Sequence, residues 1–234
     1  MTKQLKAGLQ YMLIDFRYSL MIFWSILFAS SLLLMLLSWS IPSSQSNLAF
    51  GLVIYIFCAI SGFQMTKETL PYFLKFSSTR KNFLIVALVF NVLLAMFMSL
   101  LAMLSTYLFN YISRLFDVAN FRVMFTTELT TLSQTWYHEF FTNAVLSFLF
   151  LTLGFLLSSL FYRFGLIGGF SGLAVVIISI ILPESRQFLA DLFLSIDYTK
   201  VDFNFLVILF VSLFTFIPNW LLIKQAPTKA ASTR

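Results

Sequence analysis

Charged residues, cysteine and histidine are all scarce in this sequence. Only 10% of its 234 residues are charged, whereas 60% are hydrophobic and 30 are phenylalanine. An ordinary soluble domain is about a quarter charged. The single cysteine, Cys58, excludes an intrachain disulfide and lies within an apolar run, where a small buried hydrophobic side chain is expected. A water-soluble core of this size cannot hide so much apolar surface, so the composition predicts a membrane protein.

The sequence also lacks the common motifs of nucleotide, metal and hydrolase chemistry. It has no G-x-x-x-x-G-K-[ST], no H-E-x-x-H, no G-x-S-x-G and no Cys/His cluster. Its one histidine, His138, stands in TWYHEFF, which is typical of an aromatic belt at a membrane interface, with a proton or metal role as the alternative. We therefore expect no catalytic residue, no metal and no cofactor on this chain.

Six apolar stretches are long enough to cross a bilayer as helices, which takes about 20 residues. They predict an all-α membrane protein with spans at 19–41, 48–65, 83–109, 140–162, 166–182 and 203–223. Before the first span, Leu5, Leu9, Met12 and Phe16 recur at helical spacing. This stripe predicts an N-terminal interfacial amphipathic helix over 1–18, and the alternative is a plain extension of the first span. A polar tail follows over 224–234.

The distribution of lysine and arginine predicts the orientation of the spans. The side that holds both termini and the loops 66–82 and 163–165 carries eleven basic residues and a net charge of +9. The other side carries four basic residues and a net charge of −3. Both termini are therefore predicted to be cytoplasmic. The overall charge of +6 is explained by these loops, so no nucleic acid is expected as a partner.

Polar residues inside the predicted spans are few. Asn91 lies in the third span and Asn143 near the outer end of the fourth, and both are candidates for a translocation path, with an interhelical hydrogen bond as the alternative for Asn91. No acidic or basic residue occupies the middle third of any span, which argues against an ion-coupled transporter. Glycines four residues apart at 165/169 and 168/172 predict close helix packing.

Three stretches together resemble a known family. They are LPYFLKFSSTRKNFL at 70–84, FLLSSLFYRFGLIGGF at 155–170 and NWLLIKQAPTK at 219–229. With these motifs and the six-span plan, the chain is similar to the membrane-spanning permease subunit of bacterial ABC-2-type transporters, of the short kind without its own ATPase domain. The turn Ser77-Ser78-Thr79 departs from the family pattern, in which a glycine often precedes the arginine.

The resemblance implies that loop 66–82 couples the spans to a separate ATP-binding-cassette ATPase subunit, which would hold ATP and Mg²⁺. Tyr72, Phe73 and Phe76 would insert into the ATPase, and Arg80 and Lys81 would pair with its acidic residues. Arg163 and Gly165 would form the cytoplasmic joint between spans four and five. The complete set of coupling residues implied in this way is Leu70, Pro71, Tyr72, Phe73, Leu74, Lys75, Phe76, Arg80 and Lys81.

The function that this resemblance implies is export of an amphipathic or hydrophobic substrate, with a peptide, toxin or bacteriocin favoured. The implied partners are the ATPase, a second copy or a sister permease, membrane lipid and the substrate, in the plasma membrane of a bacterium. On this reading the chain is not itself an enzyme. The alternatives are a non-transporting membrane sensor or immunity module, and an integral membrane enzyme.

Overall fold

A computed structural model describes residues 2–41, 46–75, 79–118, 120–197 and 200–224, and most of them are helical. The elements in chain order are α1 (Thr2–Ser40), β1 (Ser46–Leu48), α2 (Phe50–Gln64), a π-helical turn (Met65–Thr69), α3 (Leu70–Lys75), α4 (Arg80–Leu115), β2 (Phe121–Val123), a 3-10 turn (Thr126–Leu129), α5 (Trp136–Ile181), α6 (Pro183–Phe193), β3 (Leu194–Asp197), β4 (Lys200–Phe203), α7 (Phe205–Phe214) and α8 (Phe216–Lys224). The strands form two short pairs, β1 with β2 in parallel and β3 with β4 antiparallel. The all-α class predicted from the sequence is confirmed.

Five helical segments in the described part of the chain are long and apolar enough to cross a membrane. They are Gln4–Ser40, Phe50–Lys75, Arg80–Leu115, Trp136–Ile181 and Phe205–Lys224. These helices are compatible with a multi-pass membrane protein. Five segments stand against six predicted spans because predicted spans four and five both lie within α5, which has 46 residues.

Helix α5 is broken at Gly165 and folds back on itself. Gly165 has φ 71° and ψ −161°, a backbone conformation that favours glycine because it has no Cβ. The rings of Phe161 and Phe170, on either side of the break, lie 5.6 Å apart. A Cβ on Gly169 would lie 2.1 Å from the Phe161 ring, and one on Gly172 would lie 2.7 Å from Leu160. Gly169 in particular therefore lets the two arms of α5 pack closely, whereas the contact at Gly172 is with the movable end of the Leu160 side chain.

The first 18 residues do not form a separate helix, since α1 runs without interruption from Thr2 to Ser40. Its 39 residues span about 58 Å at 1.5 Å per residue, against a hydrocarbon core of about 30 Å. Met12 and Phe16 are buried, and the Phe16 ring lies 4.9 Å from that of Phe90 on α4. The apolar stripe therefore packs on this chain's own bundle, and a separate interfacial helix over 1–18 is not confirmed.

Helices α2 and α5 cross at two glycines that face each other's backbone. A Cβ on Gly62 would lie 2.1 Å from the carbonyl oxygen of Leu151, and a Cβ on Gly154 would lie 2.0 Å from that of Ala59. No real Cβ approaches an oxygen so closely, so only glycine allows this crossing. Small residues let helix backbones approach in membranes, where dispersion contacts replace the hydrophobic effect as the main attraction.

We expect Gly62→Ala to destabilise the fold by about 2 kcal/mol, because the added methyl meets backbone that cannot rotate away. The matched control is Gly172→Ala, whose methyl meets only the end of the Leu160 side chain. Thermal unfolding of both variants in detergent measures the difference. Equal losses would contradict the close crossing.

Candidate functional site

The segment predicted to couple the spans to an ATPase begins as a continuation of α2. The helical path passes through the π-helical turn into α3 and ends at Lys75. A π-helical turn adds a residue to a helix and is frequent at functional sites. Phe76, Ser77 and Ser78, which include one predicted coupling residue, lie outside the described residues. Thr79 then caps the amino end of α4, because its side-chain hydroxyl accepts a hydrogen bond from the backbone N–H of Asn82 at 3.2 Å.

Two of the predicted coupling residues are buried within this chain. Leu70 is inaccessible and Phe73 is 5% exposed. The Phe73 ring lies 5.3 Å from that of Phe83 on α4 and 6.1 Å from that of Tyr11 on α1. Phe73 is therefore not accessible to a partner in this conformation, because its side chain already fills the space between α1, α3 and α4.

The exposed part of the segment is narrower than predicted. Tyr72 is 48% exposed, and the Nζ of Lys75 lies 5.4 Å from the centre of its ring, close enough for a cation–π contact. Lys75 and Lys81 are exposed, whereas Pro71 and Leu74 are half-buried. We call Tyr72, Lys75 and Lys81 the exposed edge. It combines one aromatic ring with two positive charges.

Arg80 and Arg163 both bind the carboxyl end of α8. A guanidinium nitrogen of Arg80 donates to the backbone carbonyl of Lys224. A guanidinium nitrogen of Arg163 donates to the carbonyl of Leu221 at 3.1 Å. The last carbonyls of a helix lack intrahelical partners and form the negative end of its dipole, so two cations are well placed there. The structure thus brings Arg80 of the predicted coupling segment and Arg163 of the predicted joint together, and they join α4, α5 and α8 at one end of the bundle, which we call the basic end.

Asn143 lies at the other end of the bundle, within a buried hydrogen-bonded network. Its carbonyl oxygen accepts from the Tyr55 hydroxyl at 2.6 Å and from the Thr126 hydroxyl at 3.0 Å. Its amide nitrogen donates to a Glu139 carboxylate oxygen at 2.8 Å. Asn143 therefore ties α2, α5 and the 3-10 turn together. Both of its polar atoms are therefore occupied within the protein in this conformation.

Glu139 is the buried acid at the centre of this network. In the sequence it contributes only to the predicted net charge of −3 on the side opposite the termini. It is 3% exposed, and its two carboxylate oxygens accept from the backbone amides of Thr126 and Thr127 at 3.0 and 2.9 Å. A carboxylate suits the free amides that open a helical turn. The signal in the sequence is a glutamate in the first turn of α5, four residues before Asn143.

Asn91, unlike Asn143, is a buried asparagine without a hydrogen-bond partner among the described residues. It lies in the middle of α4 with 0% exposure, and neither its amide nitrogen nor its carbonyl oxygen has a hydrogen-bond partner among the described residues. The Phe83–Phe155 ring contact and the Ser99–Phe140 hydrogen bond fix the register of α4 against α5, and this register places Asn91 near the level of Ser147. An unpaired amide at this depth is unfavourable for the fold.

The described residues hold no group of three or more His, Cys, Asp or Glu side chains that could bind a metal ion. Comparison of the chain with protein-family models gave no match. Comparisons with curated proteins and with solved structures also gave no significant match.

Asn91→Leu and Asn143→Leu are expected to change stability in opposite directions. Removing the unpaired Asn91 amide should stabilise the fold by about 1 kcal/mol. Removing Asn143 should destabilise it by about 2 kcal/mol, because Glu139 and Tyr55 lose their partner. Unfolding of each variant in detergent measures both effects, and a destabilised Asn91→Leu variant would show that the amide has a partner.

Arg80→Gln is expected to destabilise the fold by about 1 kcal/mol, because the cation at the carboxyl end of α8 is lost. The control is Lys81→Gln, since Lys81 is the adjacent base and its side chain is exposed. Denaturation in detergent compares the two variants. If both lose the same stability, general charge and not the α8 cap is responsible.

Proposed function

We propose that this chain is the membrane-spanning subunit of an ATP-driven exporter of the ABC-2 type, located in a bacterial plasma membrane. The observation that carries the proposal is the segment between α2 and α4. It combines the motif LPYFLKFSSTRKNFL with a short helix, α3, that is anchored on its inner side and exposes a cationic, aromatic edge. A cytoplasmic ATPase subunit with acidic residues is the partner that such an edge fits.

The proposed topology has six spans with both termini in the cytoplasm. It is supported by the reversal of α5 at Gly165, which turns five apolar helical segments into six passes. It is also supported by the position of the charges, since Arg80, Arg163 and the end of α8 meet at one end of the bundle. Under the positive-inside rule this basic end faces the cytoplasm.

Force applied at the exposed edge would reach several helices at once. Phe73 locks α3 against α1 and α4, and the π-helical turn joins α3 directly to α2. A movement of the ATPase would therefore shift α1, α2 and α4 together. This is the mechanical role that a coupling helix requires, and it depends on burial of Phe73 in this chain as much as on exposure of Tyr72.

The proposed cargo is amphipathic or hydrophobic, with a peptide or toxin favoured, and a second copy or a sister permease completes the pathway. Asn91 remains our candidate for a residue on that pathway, because it is a buried amide whose two polar atoms have no partner among the described residues. In a rearranged dimer its amide would be free to bind a polar group of the cargo.

The test is co-purification of the tagged chain with a P-loop ATPase subunit from its native membrane, and the ATP hydrolysis of the isolated complex. The double substitution Tyr72→Ala/Lys75→Glu is expected to weaken association about tenfold, because it removes the aromatic ring and reverses one charge of the exposed edge. Phe73→Asp is unsuitable, since Phe73 is part of the core and its replacement would unfold the segment.

The matched control is Tyr111→Ala/Arg114→Glu, which changes an exposed tyrosine and a base three residues later at the opposite end of α4. This control should associate normally. An equal loss in both double variants would contradict the proposed coupling edge. Failure of any P-loop ATPase to associate with the chain would favour a membrane sensor or immunity module.

A further inference from the structure

Two adjoining cavities run along the inner side of the α5 hairpin, between its two arms and α2. The first, of about 280 Å³, lies at the break of α5 at Gly165, which we call the elbow. Its lining includes Phe63, Lys67, Ser158 and Gly165. The second, of about 430 Å³, continues away from the elbow and is lined almost wholly by apolar side chains, with Gly154 and Gly172 on its walls. Phe63 lines both cavities. We call the two together the elbow groove.

The polar end of the groove carries an unpaired cation and an unpaired hydroxyl. Lys67 is exposed, and the only ion pair among the described residues joins Arg122 to Glu128, so Lys67 has no carboxylate partner there. The adjacent Glu68 faces another cavity, with Asp15 and Ser19 of α1. Ser158 is buried, and its hydroxyl has no hydrogen-bond partner in the described part of the chain.

The apolar end has the length of one leaflet. The first-arm residues that line the apolar cavity run from Phe150 to Leu160. These positions are 10 residues apart, which is about 15 Å at 1.5 Å per residue. Half of a bilayer's hydrocarbon core measures about 15 Å. A narrow apolar groove of this length fits an extended acyl chain, and its polar end lies at the basic end of the bundle, where lipid headgroups meet the protein.

We infer that the elbow groove binds an anionic membrane phospholipid, with the headgroup phosphate at Lys67 and Ser158 and an acyl chain between α2 and the α5 hairpin. Charge complementarity selects the anionic headgroup, since Lys67 is a free cation and the hydroxyl of Ser158 can donate to a phosphate oxygen. The inference requires insertion in a membrane but does not require the proposed transport activity.

Native mass spectrometry of the full-length chain in detergent tests the site, with phosphatidylglycerol and phosphatidylcholine of identical acyl chains as the two probes. We expect one phosphatidylglycerol to bind more tightly than phosphatidylcholine. Lys67→Gln should weaken phosphatidylglycerol roughly fivefold and phosphatidylcholine clearly less, because the choline ammonium already offsets the phosphate charge that Lys67 would meet. Lys81→Gln, which removes an exposed base at the same end but outside the groove, should change neither.

The acyl-chain end needs a separate variant. Ile60→Trp places a bulky ring in the apolar cavity and should weaken both lipids, whereas Leu52→Trp, on the same helix but outside the cavity, should weaken neither. Thermal unfolding verifies that each variant is folded. Equal binding of the two lipids would overturn the inference, and so would an equal effect of Lys67→Gln and Lys81→Gln on phosphatidylglycerol. It would also be overturned if Ile60→Trp changed dimer formation but left lipid binding unchanged.

Discussion

The backbone contact between α2 and α5 at Gly62 and Gly154 is the constraint on which the rest of the fold depends. It fixes the two helices so closely that Tyr55 reaches Asn143 at one end, while the hydroxyls of Thr66 and Ser159 lie 3.2 Å apart at the other. In a bilayer, apolar surface gains little by leaving lipid for protein, so close packing and buried hydrogen bonds must define the fold. The crossing of α2 and α5 supplies the close packing and brings the hydrogen-bonding side chains of the two helices within reach of each other.

The basic end is held by a different kind of interaction. The carbonyls that end α8 accept from arginines on α4 and α5, so three helices share one electrostatic cap. One guanidinium nitrogen of Arg80 is engaged at α8 in this conformation, and the side chain is only partly exposed. This places the proposed recognition of an ATPase on Tyr72, Lys75 and Lys81, whose side chains are exposed, and leaves Arg80 with the task of keeping the coupling segment in register with the end of the chain.

Long apolar runs predicted the helical class and the places of the long apolar helices, because length and hydropathy alone decide whether a helix can cross a bilayer. The sequence could not show which apolar faces meet protein, since lipid and core are equally apolar. The stripe ending at Phe16 and the side chain of Phe73 were therefore assigned to a leaflet and a partner, yet both pack on α4 or its neighbours. The glycine spacing seen at 165–172 does not mark Gly62 and Gly154, because neither has a second glycine four residues away. The signal for Glu139 is only local, since it is a glutamate in the first turn of α5.

The same helical path carries the two surfaces that the proposals assign to ligands. Lys67, in the π-helical turn, faces the elbow groove, and Tyr72 follows five residues later on the exposed edge. A π-helical turn can relax to α-helix by shifting one residue, which rotates everything beyond it. Such a shift would move Lys67 relative to Ser158 and Tyr72 relative to the partner in one step. Under the two proposals, such a shift would couple lipid binding in the groove to engagement of the exposed edge through the backbone between Gly62 and Lys75.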